Sequence, residues 1–409
     1  MLQPTPRSPE AAPATPRAAG TASSSGAGRP FLGLLDAVMV DPPTQFRFEG
    51  AVSRPEVETV WRWFVRDIAA DLLEVPLSLE DQAAAAALTE RAPELLARAR
   101  AALATSKGKP EAEARLRAQL GEGMLERLPV VLNAFKCHPL LGKAQAFGRA
   151  LNGIQEDAAL ATALQAIPLQ DSAVAPFLLM AAMGQVINPG RLVVVASRVA
   201  NGAADTEMVR AGFGPLLDAI LAQAQNVLPP LLQVGAFLDM DLACRAIERF
   251  HRLIRAIAAN LALTRNGRWS TISAGLIKTV SDRLEPKIRD VTPAVSQALR
   301  RQREGAERLD SDSILSALNG FYLLATVRDC RDSLALNAIF DQTWNQAGQA
   351  LEMHLNRNLE MWRDNPTDKI AAARVESGIK MAELRFGSEY ADVLRRARDA
   401  IERRLGTIN

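Results

Sequence analysis

The stretch DLACRAIERFHRLIRAIAANLAL, residues 241–263, decides the fold class. Its apolar residues Ala243, Ile247, Phe250, Ile254, Ile257 and Leu261 recur mostly at three- and four-residue intervals. Side chains at that spacing share one face of a helix, whereas a half-buried strand alternates with period two. Asn266-Gly267 then closes the segment with a turn signal. The flank of the same helix carries Arg245, Arg249, Arg252 and Arg255, so an oily face and a cationic face are built into one element.

The same periodicity runs in both directions from this helix. Toward the N-terminus, Pro55 opens a helix at a position that tolerates proline, and Val57, Val60, Trp61, Phe64, Val65, Ile68 and Leu72 make one buried stripe. Ser78 with Asp81 marks the start of an alanine-rich helix that Pro93 could kink. A further helix is expected from Glu111 to about Cys137, weakened at Gly121, Gly123 and Pro129, and another from Met208 to Val227. Gln45 to Glu49 could form a short extended piece, and Leu192 to Ala196, the one short β-branched run, reads equally well as buried helix. Toward the C-terminus, helices are expected near 271–284, 286–305 and 311–327. A long helix then begins at Asp332 with the seam Leu336, Phe340, Trp344, Ala347, Leu351 and His354, and two last helices follow.

The expected fold class is therefore all-α: an irregular multi-helix bundle or helical array of roughly fifteen helices. Residues 1–29, rich in Pro, Ala, Ser, Thr and Gly, are expected to form a disordered tail. Three helical regions follow: 30–150, a central 151–308, and 309–409 with the long helix. The central region is acidic first and basic second, since 156–244 carries a net −5 and 245–308 a net +8.

Hydrophobic residues make up 48% of the 409, enough for a sizeable core, and aromatics only 5%. The net charge of +2 comes from Arg7, Arg17 and Arg29 against Glu10, which leaves the remainder formally neutral and nucleic acid an unlikely partner. The apolar stretch Ala173 to Ile187 is too short for a bilayer span of about 20 residues, so no transmembrane segment is expected, although peripheral membrane contact stays open. The N-terminus lacks the apolar core of a secretory signal. Cys137, Cys244 and Cys330 are odd in number and widely spaced, which argues against a disulfide framework and suits a reducing, cytoplasmic setting. Arginine outnumbers lysine 40 to 8, a bias associated with GC-rich bacterial genomes.

Catalytic constellations are sparse. Glu248-Arg-Phe-His251 has the spacing of a di-iron half-site, but no second Glu-x-x-His accompanies it, so it reads as helix surface. Cys137-His138 diverge on a helix, and Pro139 suggests that His138 ends one. Asp329/Asp332 and Asp364/Asp368 could hold magnesium in a prenyl-transfer enzyme, yet capping accounts for acids at helix ends. Gly212-Phe-Gly214 lacks the third glycine of a dinucleotide loop, and no phosphate-loop, nucleophile-elbow or zinc-protease motif occurs. No catalytic residue, metal or cofactor is assigned.

The basic run is the most informative feature. Arg245, Arg249, Arg252, Arg255, Arg265 and Arg268 are the candidate partner-binding residues. The expectation is a non-catalytic interaction or scaffold protein that binds a protein partner through helical faces, with homodimerisation through the 340–354 seam also possible. The alternatives are a helical enzyme acting on an apolar or phosphorylated small molecule, and an exported bacterial effector with a disordered leader.

Overall fold

A computed structural model describes residues 30–41, 46–73, 82–232, 239–300 and 309–408. The tail expected at 1–29 and the Ser78–Asp81 helix start lie outside the described residues. Helix dominates what is described, in line with the all-α reading. In chain order the helices are α1 (Pro30–Leu35), α2 (Arg54–Trp63), α3 (Gln82–Ser106), α4 (Pro110–Leu120), α5 (Met124–Leu151) and α6 (Asp157–Gln165). There follow α7 (Ala175–Met183), α8 (Pro189–Val199), α9 (Asp205–Arg210), α10 (Gly214–Asn226), α11 (Leu228–Leu232) and α12 (Met240–Ala258). The last six are α13 (Arg268–Arg289), α14 (Val291–Leu299), α15 (Ser311–Asp329), α16 (Asn337–Asp364), α17 (Lys369–Phe386) and α18 (Ser388–Ile408). The only sheet among the described residues pairs two-residue strands in parallel, β1 (Met39–Val40) with β2 (Val52–Ser53).

Local chemistry explains most boundaries. Ser53 and Glu56 form a reciprocal capping box at the start of α2, and Asp239, Asp310 and Asp368 each accept backbone N–H groups at the starts of α12, α15 and α17. Prolines proved poorer breakers than expected. Pro129 and Pro139 both lie inside α5, which runs unbroken to Leu151, so His138 sits within a helix and not at its end. Pro286 likewise lies inside α13, and the break falls at Asp290. Glycine broke the chain where helix was expected, because Gly212 takes φ +86° and separates α9 from α10. Leu192 to Ala196 is helical, inside α8. Phe46 to Glu49 is irregular, not extended. The long C-terminal helix starts at Asn337, after a 3-10 turn at Arg331–Ser333.

The stripe on α2 is also displaced. A single π-helical stretch, Phe64–Ile68, follows α2 and adds a residue to the turn. Trp63 and Phe64 are buried at the junction, and Val65, inside the π-helical stretch, is exposed. Phe31 of α1 packs between Trp61 at 5.4 Å and Phe135 of α5 at 4.9 Å, ring centre to ring centre.

One continuous core runs from Phe31 to Ile401. Helix α12 packs its apolar face against α8, α10 and α15, with Ala243, Ile247, Phe250, Ile254 and Ile257 all buried. Helix α16 packs on α17 and α18, and the seam residues Phe340, Ala347, Leu351 and His354 are buried within the chain. Helices α5 and α7 cross closely at Gly148, where an added Cβ would lie 2.2 Å from the Ala182 carbonyl oxygen.

Candidate functional site: a basic groove beside α12

The six arginines singled out by the sequence do not form one stripe. Arg245 pairs with Asp241 one turn earlier, at 2.6 Å. Arg249 is partly buried and donates to the Gly184 carbonyl at 3.4 Å, a weak bond. Burial and the nearby Arg252 charge hold its guanidinium below the usual arginine range. Arg252 and Arg255 are exposed, three residues apart, and have no ion partner among the described residues. Arg265 is exposed in the loop after α12, where Asn266 takes φ +60°.

Arg268 belongs to a different structure. Its guanidinium grips the carboxylate of Asp218 on α10 with two hydrogen bonds, of 2.5 and 2.7 Å. Asp218 is fully buried, and it also accepts from Trp269 Nε1 at 2.6 Å and from the Glu49 backbone N–H at 2.6 Å. Arg268 also donates to the Arg47 carbonyl. Four donors from two segments thus converge on one carboxylate, which joins the 46–50 loop to α10 and α13. The Asp218 hydrogen bonds raise the pKa of Arg268. This is one place where the acidic segment 156–244 meets the basic segment 245–308. Asp241–Arg245 is another.

Arg252 and Arg255 open onto a groove of about 490 Å³. One wall is α12 and the turn after it, with His251, Ala256, Ala259 and Asn260; the other is Ile187, Asn188, Pro189 and Gly190 at the start of α8. No acidic residue lines it. Asn188 caps α8 by accepting from the Arg191 N–H, and Asn260 donates to the Ala256 carbonyl. Arg191 turns away from the groove to Asp157 and to backbone carbonyls of 154 and 155. His251 Nδ1 is buried without a hydrogen-bond partner. The asparagine cap followed by proline was a legible helix-start signal, but its placement beside α12 is a tertiary fact.

Burial, and then the Arg255 charge, hold the imidazole of His251 below the ordinary histidine range. Burial, Arg357 and Arg300 do the same to His354. Both groups therefore bind protons more readily once the chain unfolds. Their neutral forms leave stability intact above the unfolded histidine pKa of about 6.5, and stability falls as pH drops below it. The expected result is a urea midpoint that declines from pH 7.5 toward pH 5. The decline should shrink in a His251→Gln/His354→Gln variant, and an equal decline in both proteins would refute the assignment.

The other candidate chemistry is dispersed. Glu248 is exposed on α12, and among the described residues no group of three His, Cys, Asp or Glu side chains is placed to hold a metal. Asp368 is spent on the α17 cap, and Asp329 pairs with Arg328 at 3.0 Å. Cys137 is buried in α5, and the His138 ring lies against Phe135, whose carbonyl it contacts at 2.6 Å. Burial, with Glu248 and Asp329 adding to it, pushes the Cys330 thiol up to about 12, which removes it as a nucleophile at neutral pH.

A second cleft, of about 330 Å³, lies over the Asp218 junction between Arg47, Arg127 and Arg268, with Phe48, Pro176 and Phe177 among its apolar lining. Its cations are engaged: Arg127 by Glu56 at 2.6 Å, Arg268 by Asp218, and Arg47, more loosely, by Glu126 at 4.0 Å. Of these two clefts, the α12 groove is the one whose arginines make no salt bridge among the described residues. No helix among the described residues is long and apolar enough to cross a membrane. Comparison with protein-family models, with curated proteins and with solved structures found no match to this chain.

Proposed function

We propose that the chain is a non-catalytic helical binding protein that takes an acidic element of a protein partner on the arginine-bearing face of α12. The observation that carries this reading is the pair Arg252 and Arg255, held in no salt bridge among the described residues, on the wall of a groove with no acid in its lining. Packing on the opposite face of α12 holds the helix rigid, so neither arginine needs to be ordered by a rearranging backbone when a partner arrives. Charge of one sign around a concavity favours encounter with an anionic surface and disfavours cationic ones. The free thiols of Cys137, Cys244 and Cys330 suit a reducing, cytoplasmic setting for that encounter.

Capture of partners from the native host should depend on these two side chains. Reversal of both, Arg252→Glu with Arg255→Glu, is expected to lower recovery of a specific partner by roughly tenfold or more, because like charges then face each other. Arg265→Glu, outside the groove, should leave recovery unchanged. Equal recovery with the double reversal would remove the reading.

A further inference from the structure

The cationic surface is a spot and not a strip. Along α12, Arg245 is compensated by Asp241 and Arg249 is drawn in toward Gly184, which leaves Arg252 and Arg255 on one groove. Arg265 lies beyond the helix and Arg268 is fixed on Asp218. An acidic helix with carboxylates spread over several turns would need the whole row of arginines. Two guanidinium groups beside one concavity match a single group that concentrates its charge.

We propose that the groove between α12 and the start of α8 binds a phosphate monoester, presented as a phosphorylated serine or threonine of the protein partner. The assignment rests on the protein-partner reading of the same face. A phosphomonoester carries about −1.5 to −2 charges at neutral pH on three acceptor oxygens, whereas an aspartate or glutamate carries one charge on two. Each guanidinium fork matches a pair of phosphate oxygens, and Arg252 and Arg255, at i and i+3, lie on one side of the helix. Of the other groups on the wall, Asn260 and Asn188 are already engaged with backbone and His251 is held neutral by burial, so the two arginines supply the charge. Ile187, 61% exposed, together with Pro189, Ala256 and Ala259, offers an apolar shelf for the residues flanking the phosphorylated one.

The test uses the full chain and a fluorescein-labelled alanine peptide with one central phosphoserine, read by fluorescence anisotropy beside matching serine and aspartate peptides. Expected are binding of the phosphoserine peptide, affinity for the aspartate peptide weaker by about tenfold, and competition by inorganic phosphate. Arg252→Gln with Arg255→Gln should abolish binding while the circular dichroism spectrum stays unchanged, and Arg265→Gln should bind as the wild type does. Equal affinity for the aspartate peptide, or equal loss in Arg265→Gln, would overturn the proposal. So would tighter binding to phosphatidylcholine vesicles containing phosphatidic acid, which would reassign the site to a lipid headgroup. Partner capture that fails with the double reversal yet survives phosphatase treatment would defeat the phosphate and leave the partner reading standing.

Discussion

Asp218→Ala is expected to lower the stability of the protein by about 3 kcal/mol, in the range found when one partner of a buried ion pair is removed. The carboxylate is fully buried, and four donors lose their acceptor at once: both Arg268 terminal nitrogens, the Trp269 indole and the Glu49 amide. Arg268 has a side chain 45% exposed, so its guanidinium can turn to water, which keeps the cost toward the lower end of that range. The indole and the amide have less freedom to do so. Asp218→Asn retains one carbonyl acceptor and should cost roughly half as much. Urea unfolding followed by tryptophan fluorescence reports both. A midpoint within experimental error of wild type for Asp218→Ala would show that the junction is incidental.

Gly50→Ala is expected to cost about 3 kcal/mol, by a different route. Gly50 takes φ +74°, where a side chain is strained by about 1–2 kcal/mol. An added Cβ would also meet the carbonyl carbon and oxygen of Pro176 at 2.2 Å, and backbone cannot yield as a flexible side chain can, adding about 1–3 kcal/mol. Gly148→Ala meets an equally close backbone oxygen on Ala182. It sits inside α5, however, where alanine regains about 1 kcal/mol of helix propensity, so its net cost should be smaller. Circular dichroism melts of the two variants should rank them in that order. Gly50 adjoins Glu49, whose amide Asp218 accepts, so Asp218→Ala and Gly50→Ala disturb one junction, and their combined effect should be less than the sum.

The fold class was legible because apolar spacing is a local property of the chain. The stripe on α12 was buried as read, since one helix face must find a core whatever the neighbours are. The stripe on α2 misplaced Val65, which is exposed while Ile68 and Leu72 still pack on the core, because a π-helical insertion leaves no mark in an apolar pattern. The prolines misled for a related reason. A helix can carry Pro129 and Pro139 when its other bonds and its packing hold, and propensity alone does not register that support. The basic row was legible as composition but not as surface. Whether an arginine is compensated depends on neighbours far along the chain, and nothing near Arg268 in sequence announces Asp218, fifty residues earlier. The signal available was Asp218 itself, one carboxylate among Leu216, Leu217, Ala219, Ile220 and Leu221, a placement that calls for a buried partner.

The loop at 46–50 has a consequence for biosynthesis. Its fastenings lie far downstream: the Glu49 amide reaches Asp218 across 169 positions, and the Arg47 carbonyl is bound by Arg268 across 221. A ribosome delivers the chain in order, so the loop leaves the exit tunnel long before its anchors are made. Until Arg268 has emerged, Asp218 lacks its counter-ion and the loop has nothing to close onto. Final consolidation must therefore await translation of Arg268, 221 residues beyond Arg47, and contacts of such long range favour slow, late assembly.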